Sequence, residues 1–302
     1  MKEFLGIICI SPPCYDHGSR GGEIMRKCIT TFIVLVVVSW PVSALPWGFM
    51  THFQGGDVLT ASLPSNIDVN VFIRANVGPD LAWTPLFSSS DRTYIHTPEF
   101  AECLFEVASE KPQYPNWLAI AYGWGVHLAF DGVAHSSFVP QNPLLHSLVE
   151  LAVDTCIYYE GAPLPRYYLG WNSFNPWLIS EASLLYRQDY DPEAKPVKPW
   201  MVMRALATLN AEVGAEYKYI RAQGGSATSQ LFLDDLVSGG ILPGQWEDYY
   251  SASLDAAREW IEVHSSGDHL AAVPAPIPAS LLLVGSSLLG LAGYHRLRKR
   301  PD

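Results

Sequence analysis

The chain has 302 residues, 49% of them hydrophobic, a net charge of −11 and a charged fraction of only 16%. That length allows one large domain with a substantial core. Residues 45–272 hold 26 acidic against 11 basic side chains, an excess that repels nucleic acid and anionic surfaces at long range and makes bound cations the route to any phosphate chemistry.

In chain order, residues 1–24 carry neither a targeting pattern nor a fold pattern. They are predicted not to belong to the native product, whose start is placed at Met25. Arg20-Gly21-Gly22-Glu23 just upstream reads as the translation of a purine-rich ribosome-binding site. Residues 25–44 read as a secretory signal peptide. Arg26 and Lys27 form the basic start, 29–40 the apolar run, and Val42-Ser43-Ala44 a small-residue cleavage site. The apolar run is short for a membrane span.

Helical periodicity then dominates, with helices predicted near 49–62, 66–76, 97–110, 116–136, 143–160, 176–187, 198–222, 227–238 and 244–264. Thr97-Pro98-Glu99 has a capping side chain, a proline for the first turn and an acid at the positive dipole end. Asn142-Pro143 opens a helix in the same way. Lys111-Pro112, Pro140, Pro163-Leu164-Pro165, Gly224-Gly225 and Gly239-Gly240 separate the segments. Strand-like alternation is almost absent and no internal repeat is visible. The predicted fold is a single all-α, multi-helix domain over 45–265, followed by a linker over 266–278 and an apolar tail over 279–302. Cys103 and Cys156 are the two cysteines of the domain; an export compartment would permit a disulfide between them. Met50 is assigned to the core. Glu247, Asp248, Asp234 and Asp235 are assigned to solvated faces, and His264 and His269 to a solvated linker.

Two stripes carry the chemistry. In GVHLAFDGVAHSSF, His127, Asp131 and His135 recur at steps of four and fall within an arc of roughly 80° on a helix. In LLHSLVELAVD, His146, Glu150 and Asp154 do the same. A lone histidine on an apolar helix is more often a satisfied core residue than a ligand. Two consecutive helices with imidazole and carboxylate on apolar backgrounds would cost several kcal/mol if those groups were unpaired. Coordination of zinc or a similar divalent ion is one way to satisfy them. Asp80, in a loop, His96, ahead of the Thr97 cap, and His52, near Trp47, are further candidates.

In this order the set resembles the zinc-dependent phospholipase C family, whose all-helical trinuclear zinc fold is shared with S1/P1-type nucleases. The resemblance runs from Trp47 through His52, Asp80, His96, His127 with Asp131, and His135 to His146 with Glu150. It spans 47 to about 160. It implies that Asp80, His96, His127 and Asp131 hold one zinc, that His135, His146 and Glu150 hold a second, and that Trp47, His52 and a bridging Asp131 hold a third. The family uses the amino group and carbonyl of an N-terminal tryptophan at that third site, whereas a cut after Ala44 leaves Leu45-Pro46 ahead of Trp47. The resemblance also implies Asp80 as the catalytic group that orients or deprotonates the attacking water, and phospholipid hydrolysis to diacylglycerol and a phosphorylated headgroup. Asp154 is expected to orient a ligand histidine. The alternatives are an S1/P1-type nuclease, which the scarcity of basic residues disfavours, and a non-catalytic surface or matrix protein that keeps zinc for stability. The aromatic stretch 167–177 reads as the packing of a surface loop, or as a mouth that meets lipid or boxes a quaternary ammonium.

The C-terminal tail resembles a PEP-CTERM sorting signal of Gram-negative bacteria, with Val273-Pro274-Ala275-Pro276, an apolar run over 279–294, and Arg296, Arg298, Lys299 and Arg300. Ala275 stands where that family usually has Glu. The resemblance implies a transient inner-membrane anchor, an exosortase-type partner, and delivery to the periplasm, outer surface or matrix.

Overall fold

A 19-residue helix that is apolar on every side must be buried on every side. Pro115–Val133 is such a helix, and the other elements are wrapped around it. The computed structural model describes residues 47–87, 92–140, 142–160 and 174–266. Among these, the helices are α1 Phe49–Leu59, α2 Val69–Ala75, α3 Pro98–Ser109, α4 Pro115–Val133, α5 Pro143–Glu160, α6 Pro176–Asp189, α7 Pro199–Gln223, α8 Ala227–Ser238 and α9 Trp246–Ser265. No strand occurs among the described residues, as the periodicity predicts. The predicted signal peptide, the residues ahead of Met25, residues 167–173 of the aromatic stretch, His269 and the apolar tail lie outside the described residues. No helix among the described residues is long and apolar enough to cross a membrane.

The starts of the helices follow their sequence signals. The Thr97 hydroxyl accepts from the Phe100 amide at 3.3 Å, with Pro98 in the first turn of α3. Asn142 Oδ1 accepts from Leu144 and Leu145 at 3.1 Å each, at the start of α5. Asp68 caps α2 and Asn175 caps α6 in the same manner. α7 ends at Gly224, whose φ of 74° is the left-handed stop that glycine tolerates.

α4 packs against α2, α3 and α9, and the first two contacts bring the segments carrying Asp80 and His96 to its flank. α1 lies on α5, α6 bridges α3 and α7, and α7 reaches the short turn Pro79–Trp83. Close approaches depend on glycine at several positions. Gly123 leaves room for α2, Gly55 for the Phe130 ring, and Gly125 for the Trp260 indole. Gly125→Ala is therefore expected to lower the melting temperature by roughly 3–10 °C, from the 1–3 kcal/mol cost of overpacking in a domain of this size. Gly214 in α7 faces open space. Gly214→Ala should shift stability the opposite way, by about 0.5–1 kcal/mol. Paired calorimetric melts check both signs.

Several expectations need correction. Asp80 is in a 3-10 turn, Pro79–Trp83, and His96 closes another, Thr93–His96. The regular helix ends at Val133. Residues Ala134–Phe138 form a π turn, so His135 leaves the stripe that His127 and Asp131 share. His264 is not solvated. It is buried in α9, with Nδ1 donating to the Trp260 carbonyl at 2.8 Å and Nε2 at 3.1 Å from Glu102. Cys103 and Cys156 are both buried and free, and burial pushes both thiols up to about 12. Met50 is in the core. Glu247, Asp248 and Asp235 are exposed, and Asp234 is half-buried beside Gln230.

Candidate metal centre

Five segments bring the candidate ligands together. α1 supplies His52, the turn Pro79–Trp83 supplies Asp80, the turn Thr93–His96 supplies His96, α4 supplies His127 and Asp131, and α5 supplies His146 and Glu150. Apart from His96 these side chains are all buried. His96 is half-buried, with the Trp83 ring tilted against it at 5.3 Å.

At the centre, Nε2 of His96 and Nε2 of His127 lie 3.1 Å apart. Asp131 Oδ2 is 3.0 Å from each of them. Asp80 Oδ1 is 3.5 Å from His127 and 3.9 Å from His96. On the other side of the same carboxylate, Asp131 Oδ1 is 3.1 Å from His52 Nε2, and the His52 ring stacks on His127 at 3.8 Å. Ligand atoms of His52, Asp80 and His127 lie within 4.8 Å of one another, as do those of His96, His127 and Asp131. Asp131 thus faces two cradles. On α5, His146 Nε2 is 2.7 Å from Glu150 Oε1. His135 reaches this pair from the π turn, its ring 5.3 Å from that of His146, but it is exposed.

The donor chemistry fits a divalent cation better than a hydrogen-bond network. His127 Nδ1 donates to the Asn76 carbonyl at 2.6 Å, so in the neutral ring its Nε2 carries a lone pair. That lone pair meets another imidazole nitrogen and two carboxylate oxygens. Both oxygens of Asp80, both of Asp131, both ring nitrogens of His52 and Glu150 Oε1 are buried without a hydrogen bond among the described residues. Each orphaned group costs about 1–3 kcal/mol. Electron-pair donors that converge without protons to share, in nitrogen and oxygen sets, are the ligands zinc takes.

Electrostatics agree. Burial raises the Asp80 carboxyl to about 7, against the pull of His127. Burial lifts Glu150 well above the usual carboxylate range, with Asp131 and Asp154 adding to it. Burial would raise Asp131 as well, but His127 and His52 outweigh it and hold that carboxylate well below its usual range. Burial lowers His127 and His146, which favours the neutral, ligating form. His96 is raised, because Asp131 overcomes its desolvation. A cation among these groups would reverse the penalty on Asp80 and Glu150.

Trp47 is fully buried. Its indole donates to Ser253 Oγ at 3.2 Å and stacks on Phe138 at 5.4 Å, which anchors the entry to α1. Among the described residues Asp154 bonds no imidazole. It accepts from the Met50 and Thr51 amides at 2.8 and 3.0 Å, and from the Thr51 hydroxyl.

Sequence reasoning missed three contributors. The Asn76 carbonyl sets the His127 tautomer, and a backbone atom leaves no signal in a motif. Glu212 and Glu216 on α7 are the other two. Burial raises Glu212 to about 7, and its charge reaches Asp80. Their spacing, Glu212-Val213-Gly214-Ala215-Glu216, repeats the step of four seen in the other stripes, and that was the available signal.

A family model described as zinc dependent phospholipase C matches residues 51–204. That span contains every candidate ligand except Trp47; Glu212 and Glu216 lie beyond it. No curated protein and no solved structure matches the chain.

Proposed function

The chain belongs to the zinc-dependent phospholipase C family, and from that premise we propose that it hydrolyses phospholipid to diacylglycerol and a phosphorylated headgroup. The observation that carries the reading is the convergence of His52, His96 and His127 on the shared carboxylate of Asp131, with Asp80 beside them. Asp80, His96, His127 and Asp131 would hold one ion, and His135, His146 and Glu150 a second. His52 and Asp131, with backbone atoms of Trp47, would hold a third. Zinc at these positions supplies Lewis-acid neutralisation of phosphoryl oxygens and acidifies water to near neutrality.

The rest falls to the chain. Asp80 is the group assigned to orient or deprotonate the attacking water. Its two oxygens are buried and make no hydrogen bond among the described residues, which leaves a lone pair to meet the attacking water. The Asn76 carbonyl keeps the His127 ring in one tautomer and one orientation. His135, exposed on its π turn, marks the side from which substrate approaches. The acidic balance of the domain disfavours a nucleic-acid substrate. Export by the signal peptide and sorting by the tail through an exosortase-type enzyme would place the activity at the periplasm or outer surface.

The test is turnover by the purified, zinc-loaded protein on phosphatidylcholine vesicles and, in parallel, on single-stranded DNA and RNA. Diacylglycerol release from vesicles, absent in Asp80→Asn, is the expected result. Cleavage of nucleic acid with vesicles left intact would make it a nuclease. Turnover of neither, with zinc bound, would leave a metal-stabilised surface protein.

A further inference from the structure

His52 has only the Asp131 carboxylate, 3.1 Å from its Nε2, to aim it. Both ring nitrogens are buried without a hydrogen-bond partner among the described residues, and the ring simply stacks on His127 with Nε2 toward Asp131. Its direction is set by where α1 places its backbone. α1 is in turn poorly capped from within, because Gly48 precedes it and offers no side-chain oxygen. The cap comes from another helix. Asp154, fully buried on α5, accepts from the Met50 amide, the Thr51 amide and the Thr51 hydroxyl. The fit is tight, since a Cβ on Gly48 would overlap the Asp154 carboxylate.

A third helix completes the arrangement. Glu216 on α7 lies beside Asp154 and the Met50 amide. Its Oε1 is buried without a hydrogen bond among the described residues. Burial, and then Asp154, push its carboxyl well above the usual range. Two adjoining carboxyl groups are costly to ionise together, so Glu216 is placed to act as the donor that completes the arrangement. A buried carboxylate that receives three hydrogen bonds from one helical turn has little freedom to swing.

We propose that Asp154 and Glu216 form a carboxyl clamp that positions His52 at the metal centre by holding the first turn of α1. Both are positioning residues, since neither touches a ligand nitrogen in the described contacts. The inference rests on the zinc-centre reading above. It brings α7, at a residue beyond the 51–204 span of the family match, into the working of the site.

The experiment uses the purified full chain as isolated, with zinc per chain read by native mass spectrometry and amide exchange read over Met50 and Thr51. Asp154→Ala and Glu216→Leu are expected to lose the same zinc equivalent that His52→Ala loses, and to keep the others. Exchange in the first turn of α1 should accelerate by roughly tenfold or more, as for loss of a cap. Glu216→Gln, whose amide still donates, should retain both zinc and protection, a rescue that a merely space-filling role would not predict. Unchanged zinc and exchange in Asp154→Ala would overturn the clamp, and so would a Glu216→Gln that behaves like Glu216→Leu. If Asp154→Ala fails to fold, Thr51→Val removes one bond to the same carboxylate. Unchanged exchange in both Thr51→Val and Glu216→Leu then overturns it. A wild-type chain without zinc would reject the proposed function, while the exchange readings still decide whether the clamp holds α1.

Discussion

Asp131→Asn should abolish turnover while leaving the helical fold in place. One oxygen of Asp131 faces His96 and His127, and the other faces His52, so this carboxylate is common to two cradles. The substitution conserves shape but replaces a charged acceptor with an amide, whose NH2 would point its protons at lone pairs. The loss combines a weakened ligand with a repulsive contact and should amount to several kcal/mol of the Lewis-acid contribution, or at least about 10³-fold in kcat/KM. Zinc content should fall at the same time, by more than the single equivalent that His52→Ala removes. Full zinc content together with full activity in Asp131→Asn would show that Asp131 is not the bridge. The far-UV spectrum should stay helical, because the substitution leaves the core around α4 untouched.

Zinc removal should have the second largest effect, and its size should depend on pH. At 1,000 times its Kd a ligand stabilises the native state by about 4 kcal/mol, which corresponds to roughly 8–16 °C in melting temperature for a domain of this size. Chelation should therefore produce a drop of about that size near pH 8. The sign of the pH dependence follows from Asp80, whose carboxyl rises from 3.8 to about 7 in the folded protein. Between those values the metal-free folded state binds more protons than the unfolded one. The stability of the chelated protein from this group is thus fully present below about 3.8 and is lost as pH rises towards about 7. Zinc competes with those same protons for the ligands, so its own contribution grows over the same range. The gap between loaded and chelated melts should be small at pH 5 and widen up to pH 8. A gap that is constant across that range would mean that Asp80 is not among the groups zinc displaces a proton from.

The sequence showed more of the scaffold than of its joints. The Thr97-Pro98 and Asn142-Pro143 starts were legible because capping is local chemistry, decided within one turn. His127 and Asp131 were legible as a pair because a regular helix carries a step of four onto one face. His135 follows the same step, but a π turn holds one more residue per turn than the α-helix, and no periodicity announces where it begins. His264 is expected in a solvated linker, yet α9 extends to Ser265, where burial and Glu102 hold the ring. Glu212 and Glu216 were passed over for a different reason. α7 is amphipathic, and acids on such a helix normally face water. Only the packing of α7 on Pro79–Trp83 and α5 turns them inward, and that is a tertiary fact with no local cause.

α4 is filled in from every side, and this has a consequence for how ions would leave. A segment opens locally when few contacts have to be broken to expose it. His127 and Asp131 sit on a helix that touches α2, α3 and α9 together, so exposing them means taking apart the whole cooperative unit. An ion held there would leave slowly, because of its ligands only His96, half-buried on a short turn, can move without opening the packing around α4. An ion held by His135, His146 and Glu150 is different, because one of its ligands belongs to an exposed turn that can swing away without disturbing the core. The same centre would then hold metals of two lifetimes, a longer one set by the packing around α4 and a shorter one set by the motion of a five-residue turn.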